Sequence, residues 1–453
     1  MTDPLTKYWK LHKYAIVMAI ASLALYQTFA YHLERTDFIK LVTLFAALFF
    51  FCLKLIQFEK WNLKFLVAVG ILFRLVFLFA LPNLSQDFYR FIWDGQQVAH
   101  GINPYLFTPE AGFDNGLGSL PNAQQLYLGM GELSAVNFSN YPPLNQLIFS
   151  LATILGGKSI LGSVIAMRIV IILADVGILY FGRRLLQKLN RSTHHMFWYF
   201  LNPLVIIELT GNLHFEGVML FFFVWSLFLI VQGKWKSGAV VYALSIAVKL
   251  IPLMFLPLFL IYFDWKKSLT FYPLVGTSSM LLLLPFYSPQ FLAHYSQTIE
   301  LWFINFEFNA GLFNAIKKIA LQFDVPGYKL IKSYGKVMPF LVVLIVLLLT
   351  FLRKNQKFST LIHSMMWILL SYYLLATTVH PWYVIFLLLL SVFTPYRFPI
   401  IWSLVVVLSY FAYGNPDFKE NLGLLLVEYI AVYGFMIYEL FKLSKLEFRF
   451  FKN

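Results

Sequence analysis

The stretch at positions 142–157, PPLNQLIFSLATILGG, decides the fold. It is apolar, yet it opens on Pro142-Pro143 and closes on Gly156-Gly157. Such punctuation suits a re-entrant or interfacial helix better than a plain membrane crossing. The choice has consequences downstream. If the stretch crosses, every later loop changes side, and the basic cluster Arg183, Arg184, Lys188 and Arg191 faces outward.

Charge elsewhere in the chain settles which reading to prefer. Apolar blocks of about 17 to 25 residues recur along the sequence, the length a helix needs to cross a bilayer. We place spans at about 14–31, 38–56, 64–82, 161–182, 195–211, 216–232, 237–249, 252–263, 268–286, 337–352, 360–377, 382–396, 398–413 and 421–441. With the N-terminus inside and the 142–157 stretch not crossing, about 22 of the 35 Lys and Arg fall on the inner side, as the positive-inside rule requires. The inner clusters run from Lys7, Lys10 and Lys13 to Lys442, Lys445, Arg449 and Lys452.

Composition agrees. The 453 residues are 60% hydrophobic and 12% charged, with a mean hydropathy of +0.72. Soluble domains carry about twice that charged fraction. The net charge of +14 is spread in short clusters between apolar blocks, so nucleic acid is not an expected partner. Cys52 is the only cysteine, which excludes an intrachain disulfide. The first apolar block reads as a retained span rather than a cleaved signal. The expected fold is therefore all-α and polytopic, one integral membrane domain over 1–453. It would have about 12–14 transmembrane helices, a re-entrant or interfacial helix, and two long outward loops at about 83–141 and 287–336.

The outward loops and span ends carry the chemistry. Ser85-Gln86-Asp87-Phe88-Tyr89-Arg90 continues to Trp93-Asp94-Gly95, followed by Gly101-Ile102-Asn103-Pro104-Tyr105. On a helix, Asp87, Arg90 and Asp94 share one face. That pattern suits a general base beside a cation holding an anionic substrate; a helix cap with a surface salt bridge is the plain alternative. His214 and Glu216 meet at an outward turn with Glu208 and Asn212 nearby, where ionisable groups are costly unless they face a cavity or a partner. Lys249, before Ile251-Pro252, can snorkel or hold a phosphate as a point charge. His380 opens His380-Pro381-Trp382-Tyr383, whose aromatics suit an interfacial belt and whose imidazole can bond a phosphate or move a proton. Arg74 and Arg168 lie within spans toward the outward half and are candidates to help with an anion. Asp175, also within a span, reads as part of a buried ion network. The charge count, made without reference to these residues, puts Asp87, Asp94, His214, Glu216, Lys249 and His380 at the outward face.

In order along the chain, these pieces resemble the polyprenyl-phosphate-sugar-dependent, mannosyltransferase-like branch of the GT-C glycosyltransferases. The resemblance rests on Ser85-x-Asp87-x-x-Arg90-x-x-Trp93-Asp94-Gly95 and Gly101-x-Asn103-Pro104-Tyr105. It adds Tyr141-Pro142-Pro143-Leu144, Asn202-Pro203-Leu204 with Gly211-x-x-His214, Lys249-Leu250-Ile251-Pro252, and His380-Pro381-Trp382-Tyr383. It implies an inverting transfer of a sugar, mannose by family weight, from a polyprenyl-phosphate donor to a lipid-linked or glycan acceptor. The setting would be the extracytoplasmic face of a bacterial inner membrane, as a step of glycolipid biosynthesis. Asp87 would be the general base, with His214, Glu216 and His380 as further catalytic candidates. Arg90, Asp94, Asn103, Tyr105, Tyr141, Lys249 and Trp382 would bind substrate. Asp87 and Asp94 are neither adjacent nor a close Asp-x-Asp, and no His, Cys or carboxylate cluster has tight ligand spacing, so no metal or other cofactor is expected. The competing reading is a transporter or flippase for a lipid-linked or small anionic solute. Such proteins favour charged sites near the midplane of paired repeats, and no repeat halves are visible here. A ligase using a lipid-diphosphate glycan would call for more arginine in the outer loops.

Overall fold

The computed structural model describes residues 3–415 and 417–450; Lys452 of the C-terminal basic cluster lies outside them. Among the described residues the ordered structure is helical, with one isolated bridge between Phe308 and Thr378. Seven helices are long and apolar enough to cross a membrane: Thr6–His32, Phe38–Phe58, Ile160–Lys188, Trp265–Phe286, Gly327–Phe351, Phe358–Leu375 and Leu422–Ser444. The chain is thus a multi-pass, all-α integral membrane protein.

The remaining expected spans are shorter or broken, for reasons visible in their residues. Pro203–Gly211 and Glu216–Val231 meet at a bend of 113°. The first of these carries a π-helical turn over Ile206–Gly211. Ile251–Leu258 winds as a 3-10 helix with Pro257 inside, because each proline removes a donor and crowds the preceding turn. Phe398–Val405 tightens into 3-10 geometry over Val406–Gly414. The second outer loop is shorter than expected. Gly327–Phe351 starts ten residues before the predicted boundary, directly after Pro326, and the loop itself holds helices Phe291–Ile304 and Gly311–Leu321.

Packing separates a centre from a rim. Every residue of Val384–Val392 is buried, as befits a helix surrounded by others. Trp265–Leu283 and Gly327–Phe351 instead leave Leu269, Met280 and Phe340 exposed, the side chains a bilayer would cover. Two arginines within the spans are held in the interior. Arg74 Nε donates to Asp175 Oδ2 at 2.8 Å, its Nη1 donates to the Gly70 and Phe200 carbonyls, and Tyr199 donates to Asp175 Oδ1. Arg168 donates to the carbonyls of Leu78, Ala80, Thr210 and Gly211. Both arginines are engaged in tying helices together, so neither reaches the anion site that their outward position suggested.

The 142–157 stretch forms one helix, Pro143–Gly156, of 14 residues. At 1.5 Å per residue it covers about 21 Å, short of the roughly 30 Å hydrocarbon core. Near its start, Asn145 Nδ2 donates to the Val248 carbonyl at 2.7 Å. Just beyond its end, the Lys158 carbonyl accepts from Asn122 in the first outer loop. Val248 ends the helix Trp235–Val248, so the start of Pro143–Gly156 is fastened to that helix and the residue beyond its end to the 83–141 segment. Gly157 turns the chain back at φ +60°, a conformation that favours glycine.

Candidate active site

The first outer loop folds into four short α-helices and a 3-10 turn, and its longest helix, Asp87–Ala99, carries Asp87, Arg90 and Asp94. This helix is almost wholly buried from Phe88 to Gln97. It crosses Pro143–Gly156 so closely that a Cβ on Gly95 would lie 2.5 Å from the Phe149 carbonyl oxygen. Phe91 stacks on Phe149 with centroids 4.5 Å apart.

The two carboxylates of this helix have opposite surroundings. Asp94 is fully buried. It accepts from Arg90 Nε at 2.7 Å, from Ser139 at 2.6 Å and from Gln146 at 3.1 Å. Arg90 also donates to the Ser134 and Asn137 carbonyls. The pair therefore cross-links the helix to the returning loop and to Pro143–Gly156. Asp87, in the first turn, faces a cavity. Its backbone N–H reaches Ser85 Oγ at 3.3 Å, and among the described residues no donor bonds its carboxylate. A negative charge at this helix N-terminus is favoured by the helix dipole.

A second wall comes from the bend at positions 212–215. Leu213 is held at φ +61° although fully buried, a strained state that persists only where neighbours impose it. The neighbours are visible. Glu208 accepts from Tyr410 at 2.6 Å and from Asn212 at 3.2 Å, while Asn212 Oδ1 accepts from the Leu84 N–H. The bend is thereby fixed to the residues leading into Asp87. His214 Nδ1 lies 3.3 Å from Glu208 Oε2, and its ring stacks on Trp382 at 3.8 Å. Trp382 stacks in turn on His380 at 4.4 Å, with the rings 5° from parallel. Glu216 is buried and paired with Lys249, whose ammonium lies over the Tyr383 ring.

The cavity has a volume of about 900 Å³ and is lined from five segments. Arg35 comes from the turn after the first helix, and Ser85, Gln86 and Asp87 from the first loop. The second outer loop adds Phe308, Asn314, Lys317 and Lys318. Thr378, His380 and Trp382 complete one side, Tyr413 and Glu420 another. Burial pushes the His380 imidazole down to about 3, helped by the charges of His214, Lys249 and Arg35. The imidazole is thereby held toward its neutral form, which can still hydrogen-bond a phosphate. Burial raises the Glu420 carboxyl; that group accepts from the Asn309 N–H and from Asn314.

Asp87, His380 and Trp382 thus line the cavity, and His214 stacks directly behind. Lys249 and Glu216 sit beside them, engaged with each other. Arg90 and Asp94 lie further back within the loop. Asn103 donates to the Phe286 carbonyl, and Tyr105 donates to the Tyr141 carbonyl at 2.5 Å. The Tyr105 ring packs on Phe286 and Phe291, so these residues join the two outer loops. Tyr141 packs edge-on against Phe91. The sequence reading missed Arg35 and Tyr413. Their signal was a charged residue in a five-residue turn and a tyrosine at a span end, both ordinary interfacial features. Among the described residues no group of three His, Cys, Asp or Glu could hold a metal ion.

Residues 16–263 match the family model described as alpha-(1->6)-mannopyranosyltransferase, N-terminal domain. That segment contains Asp87, Arg90, Asp94, His214, Glu216 and Lys249, and ends before His380. The chain is similar to alpha-(1->6)-mannopyranosyltransferase A of Mycobacterium tuberculosis, at 25% identity over 38% of this chain and 32% of the relative. It is also similar to the Corynebacterium glutamicum protein of the same name, at 23% over 40% of this chain and 35% of the relative. Alpha-(1->6)-mannopyranosyltransferase B of C. glutamicum is 28% identical over 34% of this chain and 24% of the relative. The match therefore spans about a third or less of the length of these curated relatives. No solved structure matches the chain significantly.

Proposed function

The chain belongs to the alpha-(1->6)-mannopyranosyltransferase family whose N-terminal domain it matches over residues 16–263, and on that premise we propose that it is an inverting mannosyltransferase using a polyprenyl-phosphate mannose donor. We place the reaction in the 900 Å³ cavity, on the extracytoplasmic side of a single membrane domain. The relatives' names support a sugar 6-hydroxyl as acceptor and an α-linked product.

The observation that carries the reading is the unbonded Asp87 carboxylate on the cavity wall. In the proposed step, Asp87 removes the proton of the acceptor hydroxyl. The oxygen attacks the anomeric carbon from the face opposite the phosphate. The bond from that carbon to the phosphate oxygen breaks, and the lipid phosphate leaves with the electron pair. A phosphate is already a good leaving group, so the base needs position more than an unusual pKa. The neutral His380 imidazole supplies a hydrogen bond rather than a charge. The Arg90–Asp94 pair and the Glu208–Tyr410–Asn212 network act by positioning, since they hold the base and the His214–Trp382 stack against each other. The Glu216–Lys249 pair sets the field at the edge of the site.

The test is purified protein with radiolabelled polyprenyl-phosphate mannose and an α-mannoside acceptor, followed by linkage analysis. Label in an α-(1→6) linkage, retained in the presence of a chelator, is the expected result. Transfer from a nucleotide sugar but not from this donor would reject the donor class. Loss in chelator with rescue by a divalent ion would reject a metal-free step.

A further inference from the structure

We propose that Arg35, at the tip of the first helical hairpin, is the residue that pairs with the phosphate of the donor in the cavity. This rests on the donor class proposed above. The inference begins with where the cationic side chains around the site are already committed. Lys249 is paired with Glu216, Lys317 with Glu307, and Lys419 with Asp417. Arg90 is paired with the buried Asp94. Arg35 has no carboxylate within ion-pair distance among the described residues, yet it lines the cavity together with Asp87 and His380. Its Nε is buried and makes no hydrogen bond. A buried N–H donor left this way costs free energy that a ligand accepting from it would recover.

The setting is built rather than incidental. The guanidinium carbon lies 3.4 Å from the centroid of the Tyr413 ring, a stacked contact that suits Arg and fixes the plane of its donors. The turn bearing it is tied down on both sides. Asn83 Nδ2 donates to the Phe29 and Leu33 carbonyls at 2.7 and 3.0 Å, which fastens the end of the first helix to the segment leading into Asp87. Asp37 caps the next helix through the Lys40 N–H, and Lys40 Nζ donates back to the His32 carbonyl. Phe38 packs edge-on against Phe411 at 5.3 Å, two residues from the Tyr413 platform. The hairpin therefore presents one planar, always charged fork to the cavity at a fixed place. That geometry matches a phosphate through parallel N–H···O bonds. The exposed Lys318, also on the cavity wall, is a point charge on a flexible stem with no ring contact among the described residues.

The experiment compares Arg35→Ala, Arg35→Lys, Tyr413→Leu and Lys318→Ala in purified full-length protein, with KM for donor and for acceptor measured separately. Losing a charge-assisted bidentate contact raises donor KM by about 10- to 100-fold, with acceptor KM unchanged. Arg35→Lys recovers part of this, and Tyr413→Leu shows a smaller rise in the same constant. Lys318→Ala changes donor KM by less than about threefold, as an exposed charge should. An unchanged donor KM in Arg35→Ala overturns the proposal. So does an equal effect of Lys318→Ala, or a loss that tracks a lower melting temperature. Wild-type protein inert toward polyprenyl-phosphate mannose rejects the donor class instead. The Arg35 assignment is then read from binding of a short polyprenyl phosphate, expected to be at least about tenfold weaker in Arg35→Ala, and equal binding overturns it.

Discussion

Behind the first outer loop and within the spans, buried charged groups are bound by the fold; on the cavity wall Lys317 pairs with Glu307, but Asp87 and Arg35 have no ion-pair partner among the described residues. Arg74 meets Asp175, Arg168 meets four carbonyls, and Arg90 meets Asp94, each inside a low-dielectric interior. Seven residues before Asp94 on the same helix, Asp87 faces open space, and Arg35 lines that space with no carboxylate partner among the described residues. The two regions use the same residue types. In the first, ions fix the arrangement of helices. In the second, they are left for something that comes and goes.

This contrast predicts that variants behind the loop lose stability first, whereas variants on the wall lose activity first. The largest fall in stability is expected for Arg90→Ala. It strands a buried carboxylate and should cost about 3–5 kcal/mol, read as a drop in melting temperature in detergent that precedes any kinetic defect. Gly95→Ala comes next. Its new methyl group meets the Phe149 carbonyl and forces the two crossing helices apart, at about 1–3 kcal/mol. Either variant leaving the melting temperature unchanged would break the comparison. A smaller effect concerns acid. His380 holds its proton far less readily folded, with a pKa of about 3, than unfolded, at about 6.5. Its contribution to stability is therefore complete above pH 6.5 and falls as pH drops toward 3, by at most about 1.4 kcal/mol per pH unit. His380→Gln should flatten that part of the melting-temperature profile, and an unchanged slope would contradict it.

Much of this division was legible in the sequence. Apolar blocks gave the helices, and the Lys and Arg count gave an arrangement in which Asp87, His214, Glu216, Lys249 and His380 share one end. The extent of the helix Pro143–Gly156 was readable because Pro-Pro and Gly-Gly bound it. Pairings were harder. Arg74 and Asp175 are 101 positions apart, and nothing local tells a paired arginine from a free one. The extent of Ile251–Tyr262 was legible as well, but not its 3-10 winding over Ile251–Leu258, since hydropathy takes little account of Pro257. Arg35 was passed over because an arginine beside a membrane surface is unremarkable until Tyr413, 378 positions later, is seen beneath it.

The central claim is that Asp87 serves chemistry and not architecture. It is tested most directly by measuring mannose transfer from the polyprenyl-phosphate donor and the melting temperature of the same Asp87→Asn preparation. The account predicts a fall in kcat of about 10²- to 10⁴-fold, with stability lowered by no more than the ~1 kcal/mol that the helix dipole contributes, because no described residue bonds the carboxylate that is lost. Wild-type turnover in Asp87→Asn, or a loss fully explained by unfolding, would contradict it.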